Sequence, residues 1–199
     1  MAIFEGLEPH CAMIVGRRGS GKTHFALDLL ENEFCEKFDR IVIVSTTFEY
    51  DKNYKREWIG KGVYKLNPSK KDLNDILDKV TSKVKGKGLT LILLDDCAFD
   101  DSIGKKRPAL TELAFTSRHY GISIWITAQK YNSVNKAFRE QLSWLAIFYC
   151  KDKDSFKEAL DENNAVPDSE RTEIHNELKS SAHKKLIIRN DPPVLYTVE

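Results

Sequence analysis

Residues 16–23 read Gly-Arg-Arg-Gly-Ser-Gly-Lys-Thr, and they match the phosphate-loop template G-x-x-x-x-G-K-[ST] at every fixed position. The mostly apolar run from His10 to Val15 precedes this loop and is typical of a buried strand. Apolar residues at helical spacing follow from Thr23 to Leu30. Because the template binds nucleotides when it lies between a strand and a helix, we prefer this interpretation to a chance glycine-rich turn.

The chemistry of such a loop assigns roles to its residues. Its glycines let successive backbone N–H groups turn toward one anion, and the following helix adds the positive end of its dipole. Lys22 is predicted to reach the β- and γ-phosphates, and the Thr23 hydroxyl to ligate Mg²⁺. The template leaves positions 17 and 18 free, so the sequence does not decide between the nucleotide and a neighbouring subunit for the two arginines there. The loop residues predicted to bind the nucleotide are Gly16, Arg17, Arg18, Gly19, Ser20, Gly21, Lys22 and Thr23.

A second acidic motif follows the most apolar strand candidate, Leu89 to Leu94, which closes on Asp95 and Asp96. Mg²⁺ that bridges two phosphates needs a carboxylate, and Asp95 is predicted to supply it. Asp96 is then placed to orient the attacking water. Alone, this pair is most simply a strand-ending turn, but beside a complete phosphate loop it predicts the other half of a hydrolytic site.

Composition limits the class of protein. The chain has 199 residues, 41% hydrophobic and 31% charged, and this balance predicts one folded domain. The formal net charge of +1 means that any contact with nucleic acid must come from a local basic patch. The 4 cysteines are widely separated, which favours buried free thiols in a reducing compartment and predicts neither a disulfide framework nor a zinc site. We find no leader-like or membrane-spanning run and expect a soluble intracellular protein.

Strand-like runs alternate with helical ones along the chain, which predicts an α/β fold with a mainly parallel sheet. Residues 50–62 are rich in Lys, Asp, Tyr and Trp and are predicted to form an irregular surface segment. Two β-like runs, Lys185 to Arg189 and Val194 to Val198, flank Pro192 and Pro193 and predict a terminal hairpin or a pair of edge strands. The other predicted strands are residues 41–46, 63–66, 122–127 and 144–149, and the other predicted helices are residues 70–84, 108–117, 136–141 and 152–161.

Several blocks together resemble a known family. Residues 95–97 (Asp-Asp-Cys), 115–123 (Phe-Thr-Ser-Arg-His-Tyr-Gly-Ile-Ser) and 127–129 (Thr-Ala-Gln) look like the genome-packaging ATPases of large double-stranded DNA viruses and virophages. Those poxvirus-type proteins belong to the FtsK/HerA superfamily of DNA-pumping motors. The resemblance covers about residues 11–160. FtsK and HerA proteins usually carry Asp-Glu where this chain has Asp-Asp, and this departure points to the poxvirus-type subgroup.

The resemblance implies a P-loop NTPase fold of the additional-strand, RecA-like kind, a three-layer sandwich around a mainly parallel sheet, here with a C-terminal β-hairpin. In that class, an extra strand lies between the phosphate-loop strand and the Asp-bearing strand, and Gln129 at its end would sense the γ-phosphate. Without the resemblance, Gln129 is simply a polar residue that leaves a strand. We expect one ATPase domain over residues 1–199, with a core at about 8–160 and a C-terminal helix and hairpin at about 161–199.

Ring-forming ATPases of this kind complete each site with an arginine from the next subunit. Arg118 is the preferred candidate for this trans-acting finger and Arg139 the second, and both are included among the predicted catalytic residues with Lys22, Asp96 and Gln129. An exposed ion pair is the alternative for either arginine. The loop after Asp96 carries a basic cluster predicted to contact DNA phosphates, although a solvated loop explains it as well. The cluster consists of Lys105, Lys106 and Arg107.

The function that these resemblances imply is a Mg²⁺-dependent ATPase motor that moves double-stranded DNA into a preformed viral capsid. The alternative is a P-loop kinase or another non-motor nucleotide-dependent enzyme. The implied cofactors are ATP and Mg²⁺. The implied partners are double-stranded DNA, further copies in a ring of five or six, and proteins of the capsid vertex or portal type. The implied location is the host cytoplasm at the site of virus assembly, with the virion vertex as a second place of association.

Overall fold

A computed structural model of the chain describes residues 2–7, 9–34, 36–60, 63–67, 73–97 and 108–199. Its strands are β1 (Cys11–Val15), β2 (Arg40–Ser45), β3 (Val63–Leu66), β4 (Thr90–Asp95), β5 (Ile122–Ala128), β6 (Leu142–Phe148), β7 (Lys185–Arg189) and β8 (Leu195–Val198). Its helices are α1 (Lys22–Asn32), α2 (Leu73–Val84), α3 (Pro108–Tyr120), α4 (Lys136–Arg139), α5 (Lys153–Glu162) and α6 (Asp168–Ser180). Strands and helices alternate through most of this order, which confirms the predicted α/β class.

Within the described residues, the 8 strands form one sheet in the order β3-β2-β4-β5-β1-β6-β7-β8. The pairs from β3 through β6 are all parallel, whereas β6 with β7 and β7 with β8 are antiparallel. The predicted terminal hairpin is therefore present. The predicted additional strand is also confirmed, because β5 lies between β1 and β4.

The sheet is covered on both faces. Along β1, Cys11, Met13 and Val15 belong to one buried cluster, while Ala12 and Ile14 belong to the other, as expected when side chains alternate across a strand. The first cluster includes apolar side chains of α2, α3, α5 and α6, and the second those of α1. Helices on both faces of a largely parallel sheet give the predicted three layers.

The segment between β2 and β3 differs from its predicted irregular surface character. It contains short 3-10 turns at Lys52–Tyr54 and Glu57–Gly60, and the side chains of Tyr54 and Ile59 are buried. Arg56 holds the segment against α1 because its guanidinium lies 2.6 Å from carboxylate oxygens of both Asp28 and Glu31. These ion pairs join elements that are distant in sequence. The polar composition of the segment therefore did not reveal that it packs against α1.

Other predicted boundaries agree within a few residues. Helix α3 runs to Tyr120 instead of Ser117 and stops at Gly121, whose positive φ of 69° ends the helix. Cys11, Cys97 and Cys150 are buried free thiols, and Cys35 lies outside the described residues. No helix in the described part of the chain is both long and apolar enough for a membrane span.

Candidate nucleotide site

The predicted phosphate loop connects β1 to α1, and the helix begins at Lys22. Gly19 and Gly21 have φ values of 76° and 94°, which residues with a side chain rarely adopt. These two conformations wind the backbone around the amino end of α1, where unpaired N–H groups and the helix dipole attract anions. The loop therefore has the geometry of a phosphate cradle.

Glycine is required at position 16 because a side chain would not fit there. A β-carbon at this position would lie 2.7 Å from the Phe148 β-carbon and 2.6 Å from the Ser20 hydroxyl oxygen. The Gly16 N–H donates to the Ala128 carbonyl at 3.1 Å, so the start of the loop is fixed to the end of β5. Any side chain here would push the loop away from the sheet.

Lys22 extends along the loop and donates from Nζ to the Arg17 carbonyl at 3.1 Å. Burial lowers the pKa of this amine, while the nearby carboxylates of Asp96 and Asp95 oppose that shift. Because burial disfavours the charged form of Lys22, a bound anion would stabilise that form. This is the electrostatic setting in which a phosphate group would bind.

Asp95 ends β4 at the centre of a hydrogen-bond cluster. The Thr23 hydroxyl lies 3.0 Å from each carboxylate oxygen, the Thr127 hydroxyl donates to Oδ1 at 2.7 Å, and the Tyr54 hydroxyl donates to Oδ2. Burial raises the pKa of Asp95, although these three donors act in the opposite direction. Three hydroxyl groups thus hold the carboxylate in one orientation.

That donor set fits Mg²⁺. A hard cation prefers oxygen ligands, and Thr23 and Asp95 present a hydroxyl and a carboxylate in direct contact. Burial raises the pKa of this carboxyl, so a bound cation would stabilise its charged form. We conclude that the residues present suit the metal that the fold implies.

Asp96 and Gln129 leave neighbouring strands at the same edge of the sheet. Asp96 has a φ of 50°, a left-handed conformation that aspartate tolerates better than most residues, and its N–H donates to the Thr127 hydroxyl at 2.9 Å. Gln129 follows β5 and is exposed. Both line the cleft that also contains Lys22, so the structure brings the predicted Lys22, Asp96 and Gln129 together.

The cleft has a volume of about 670 Å³. It opens along the carboxyl edge of the parallel strands, where ligands of open α/β sheets bind. Arg18 lines it, whereas Arg17 is exposed and contributes its carbonyl to Lys22. The full lining is Arg18, Gly19, Gly21, Lys22, Thr23, His24, Thr47, Tyr50, Asp51, Asn53, Asp95, Asp96, Gln129 and His183.

Arg118 lies away from its own cleft. It is near the carboxyl end of α3, just before β5 begins, and therefore at the amino edge of the parallel strands. Its side chain is 66% exposed and pairs with Asp191 at 3.4 Å. An arginine in this position is not part of the site in its own subunit.

Arg139 is held inside its own subunit. Its side chain is only 6% exposed and lies 3.0 Å from a Glu158 oxygen and 3.3 Å from a Glu162 oxygen. The guanidinium carbon is 4.7 Å from the centre of the Tyr131 ring. Because a trans-acting finger must extend into a neighbouring subunit, a buried guanidinium held by two glutamates argues against the predicted catalytic role of Arg139. The predicted DNA contacts Lys105, Lys106 and Arg107 lie outside the described residues.

Three residues of the site were not predicted. Thr127 stood in the block that the sequence singled out, but only its neighbour Gln129 received a role. Tyr54 and His183 come from segments without a motif, and their partners Asp95 and Ser20 are 41 and 163 residues away in sequence. Nothing local in the sequence marks such contacts.

Comparison with known families agrees with this geometry. A profile of the family described as "Poxvirus A32 protein" matches residues 7–191. The match covers nearly the whole chain and confirms the predicted poxvirus-type family. A search of curated protein sequences gives no match.

Solved structures share the fold at low sequence identity. The genome-packaging NTPase B204 of Sulfolobus turreted icosahedral virus 2, in complex with ATP-gammaS, has a TM-score of 0.66 and 16% identity over 96% of each chain. The pCW3 conjugation coupling protein TcpA has a TM-score of 0.62 and 12% identity over 95% of this chain and 59% of its own. The N-terminal domain of zonular occludens toxin from Neisseria meningitidis has a TM-score of 0.51 and 14% identity over 96% of this chain and 94% of its own. These likenesses confirm the predicted P-loop ATPase fold.

Proposed function

The chain belongs to the poxvirus A32 protein family, and we propose that it is an ATP-hydrolysing motor that moves double-stranded DNA into a viral capsid. One observation carries the proposal: Lys22, Thr23, Asp95, Asp96 and Gln129 converge on a single cleft at the carboxyl edge of the sheet. Transfer to water needs a carboxylate that can orient the water, and Asp96 in this cleft meets that requirement.

In the proposed mechanism, the triphosphate lies along residues 16–23, bound by backbone N–H groups and by the Lys22 ammonium. The Thr23 hydroxyl and the Asp95 carboxylate would hold Mg²⁺, which would supply positive charge to the phosphates. Thr127 keeps the Asp95 carboxylate oriented through its 2.7 Å hydrogen bond.

Asp96 accepts a hydrogen bond from the water that attacks the γ-phosphorus. The new bond joins this water oxygen to phosphorus, the bond from phosphorus to the bridging oxygen breaks, and the water loses one proton, so that ADP, phosphate and a proton are released. Gln129, at the end of β5, contacts the γ-phosphate and so distinguishes ATP from ADP.

The site is completed in trans by Arg118. Its exposed position at the opposite edge of the sheet leaves the guanidinium available to a neighbouring copy in a ring. Such a ring would thread duplex DNA, acting with proteins of the capsid vertex or portal type at the place of virus assembly. We also propose that residues 1–199 form one ATPase domain.

Phosphate release measured with and without duplex DNA tests this function. Wild-type protein is expected to release phosphate without an acceptor, and long duplex DNA is expected to accelerate it. Lys22→Ala should abolish ATP binding, whereas Asp96→Asn should bind ATP but hydrolyse it at least about a hundredfold more slowly. Lys79→Ala and Asp78→Asn, on the exposed face of α2, are matched controls that should behave as wild type.

Full turnover in Asp96→Asn would overturn the assignment of this carboxylate. Transfer of phosphate to a small acceptor, without free phosphate, would favour a kinase instead of a motor. Mass measurement with ATP and DNA would give the number of copies in the assembly.

The basic cluster Lys105, Lys106 and Arg107 is proposed to grip DNA phosphates. Neutralising all three is expected to remove the stimulation of phosphate release by DNA. It should also weaken the dependence of DNA binding on salt concentration. A matched triple neutralisation of the exposed Lys151, Lys153 and Lys157 should not. Unchanged stimulation in the first variant would rule out this DNA contact.

A further inference from the structure

A second cavity continues from the nucleotide cleft on the side of β6 and β7. Its volume is about 300 Å³, and it shares Gly21, His24 and His183 with the cleft. The phosphate loop therefore has open space on both sides of Gly21. Phe25, Phe148 and Lys185 also line the second cavity.

His183 lies directly on the phosphate loop. It belongs to the short connection between α6 and β7, and its Nδ1 atom is 3.2 Å from the Ser20 carbonyl oxygen. A β-carbon on Gly21 would come within 3.1 Å of the same nitrogen. The imidazole is thus fixed against the loop backbone while the residue stays exposed to solvent.

The order of the strands gives a bound nucleotide a direction. Asp96 and Gln129, which would face the γ-phosphate, follow β4 and β5 on one side of β1. β6 and β7 lie on the other side of β1, and Lys185 at the start of β7 pairs with Phe148 at the end of β6. A nucleotide whose γ-phosphate points to β4 and β5 extends its other end toward β6 and β7.

The lining suits the nucleoside half of that nucleotide. Phe25 is half-buried, packs edge-on against Phe148 at 6.0 Å between ring centres, and has the Lys185 ammonium 4.8 Å from its ring centre. Flat aromatic faces bind nucleobases by stacking, and nearby polar groups can bind ribose hydroxyls.

We propose that this second cavity binds the nucleoside of ATP, and that the His183 imidazole is the face on which the base stacks. The inference rests on the proposed ATPase function. It assigns the C-terminal segment a direct part in nucleotide recognition, separate from the phosphate contacts of residues 16–23.

Calorimetric titration of the full chain with ATP and with inorganic tripolyphosphate tests the proposal, because the two ligands share phosphates but only ATP has a nucleoside. His183→Ala is expected to weaken ATP binding about tenfold and to change tripolyphosphate binding less than about twofold. His183→Phe keeps an aromatic face but loses the hydrogen bond to Ser20, and it should retain most of the preference for ATP. His119→Ala, an exposed histidine on α3, is the matched control and should bind both ligands as wild type.

Equal weakening of both ligands in His183→Ala would overturn the inference, because His183 would then only support the loop. Unchanged ATP binding in that variant would overturn it as well. Failure of the proposed function looks different: wild-type protein would not bind ATP, or Lys22→Ala would bind it normally.

Discussion

Tyr54 reaches the acidic end of β4 from the segment between β2 and β3. Its ring stacks on Phe48 with 4.4 Å between centres, and its hydroxyl donates to Asp95. Burial and the neighbouring Asp95 charge raise the pKa of Tyr54, so the phenol stays protonated and remains a donor. The Tyr54 hydroxyl therefore joins the segment between β2 and β3 to the proposed metal ligand.

Tyr54→Phe removes this donor from a buried carboxylate. We expect the free energy of unfolding to fall by about 1.5–3 kcal/mol, the usual contribution of a hydrogen bond to a charged group. Urea denaturation measures the change. Tyr50→Phe is the matched control, because Tyr50 lines the same cleft but is 82% exposed. Equal stability of the two variants would show that the hydrogen bond to Asp95 contributes nothing.

Truncation of Arg139 and of Arg118 to alanine should lower the free energy of unfolding by different amounts. Arg139→Ala leaves Glu158 and Glu162 without their cation, and we expect a loss of about 2 kcal/mol, less than for a fully buried pair because both glutamates keep some contact with water. Arg118→Ala removes only an exposed pair and should unfold within about 0.5 kcal/mol of wild type. Thermal or urea unfolding of both variants checks this.

The trans role of Arg118 is tested by mixing inactive subunits. In a ring assembled from equal amounts of Arg118→Ala and Lys22→Ala chains, about a quarter of interfaces combine an intact phosphate loop with an intact Arg118. Phosphate release should therefore reappear on mixing. If mixed rings stay as inactive as their components, Arg118 does not act across the interface.

At the scale of single elements, β5 organises the site because it lies between β1 and β4. Near its carboxyl end, the Thr127 hydroxyl donates to Asp95 and accepts from the Asp96 N–H, so one side chain holds both acidic residues. The preceding residues of the strand are completely buried, which fixes the position of this hydroxyl.

Thr127→Val keeps the shape of the side chain but removes both hydrogen bonds. We expect the rate of ATP hydrolysis to fall at least about tenfold, since losing a bond to a charged group costs about 1.5–3 kcal/mol. ATP affinity should change less than about threefold because Lys22 and the loop are untouched. Thr127→Ser, which keeps the hydroxyl, should restore most of the rate in the same phosphate-release assay. Wild-type turnover in Thr127→Val would contradict this role.

Elements and motifs with a local signature could be predicted from the sequence. The phosphate loop, the acidic end of β4 and the polar end of β5 each follow an apolar strand, so their meeting at one edge of a parallel sheet follows from the fold. Tyr54 and His183 could not be found this way, because their hydrogen bonds to Asp95 and Ser20 depend on how distant segments pack. The surroundings of Arg139 could not be predicted either, because its position on a short helix does not reveal the two glutamates that pair with it.

At the scale of the whole molecule, an aromatic cluster around His10 joins the sheet to the segment that follows α1. Trp125 donates from its indole to His10 Nε2 at 2.7 Å, and the rings of Phe34, Phe38 and Trp144 lie within 6.4 Å of the imidazole. Burial lowers the pKa of His10 from 6.5 to about 3. The folded protein therefore holds this histidine neutral.

This pKa predicts a dependence of stability on pH. Between pH 6.5 and about 3, the unfolded chain binds a proton at His10 that the folded chain does not, so the contribution of His10 to stability is lost as pH falls. The expected slope is up to about 1.4 kcal/mol per pH unit. His10→Gln keeps an acceptor for Trp125 but does not titrate, so the difference in urea unfolding between the two proteins should shrink or reverse as pH falls from 7 toward 4. A constant difference would show that His10 titrates equally in both states.

The position of β1 inside the sheet affects how the protein folds during its synthesis. The backbone N–H of His10, next to β1, donates to the Ser123 hydroxyl 113 residues away, and the other neighbour of β1 is β6. During translation, the apolar residues of β1 must therefore wait for β5 and β6 to leave the ribosome before they are paired. Such long-range pairing slows folding and leaves strand edges exposed to aggregation. We expect nascent chains that end before β5 to depend on chaperones, and the nucleotide site to form only after both strands are available.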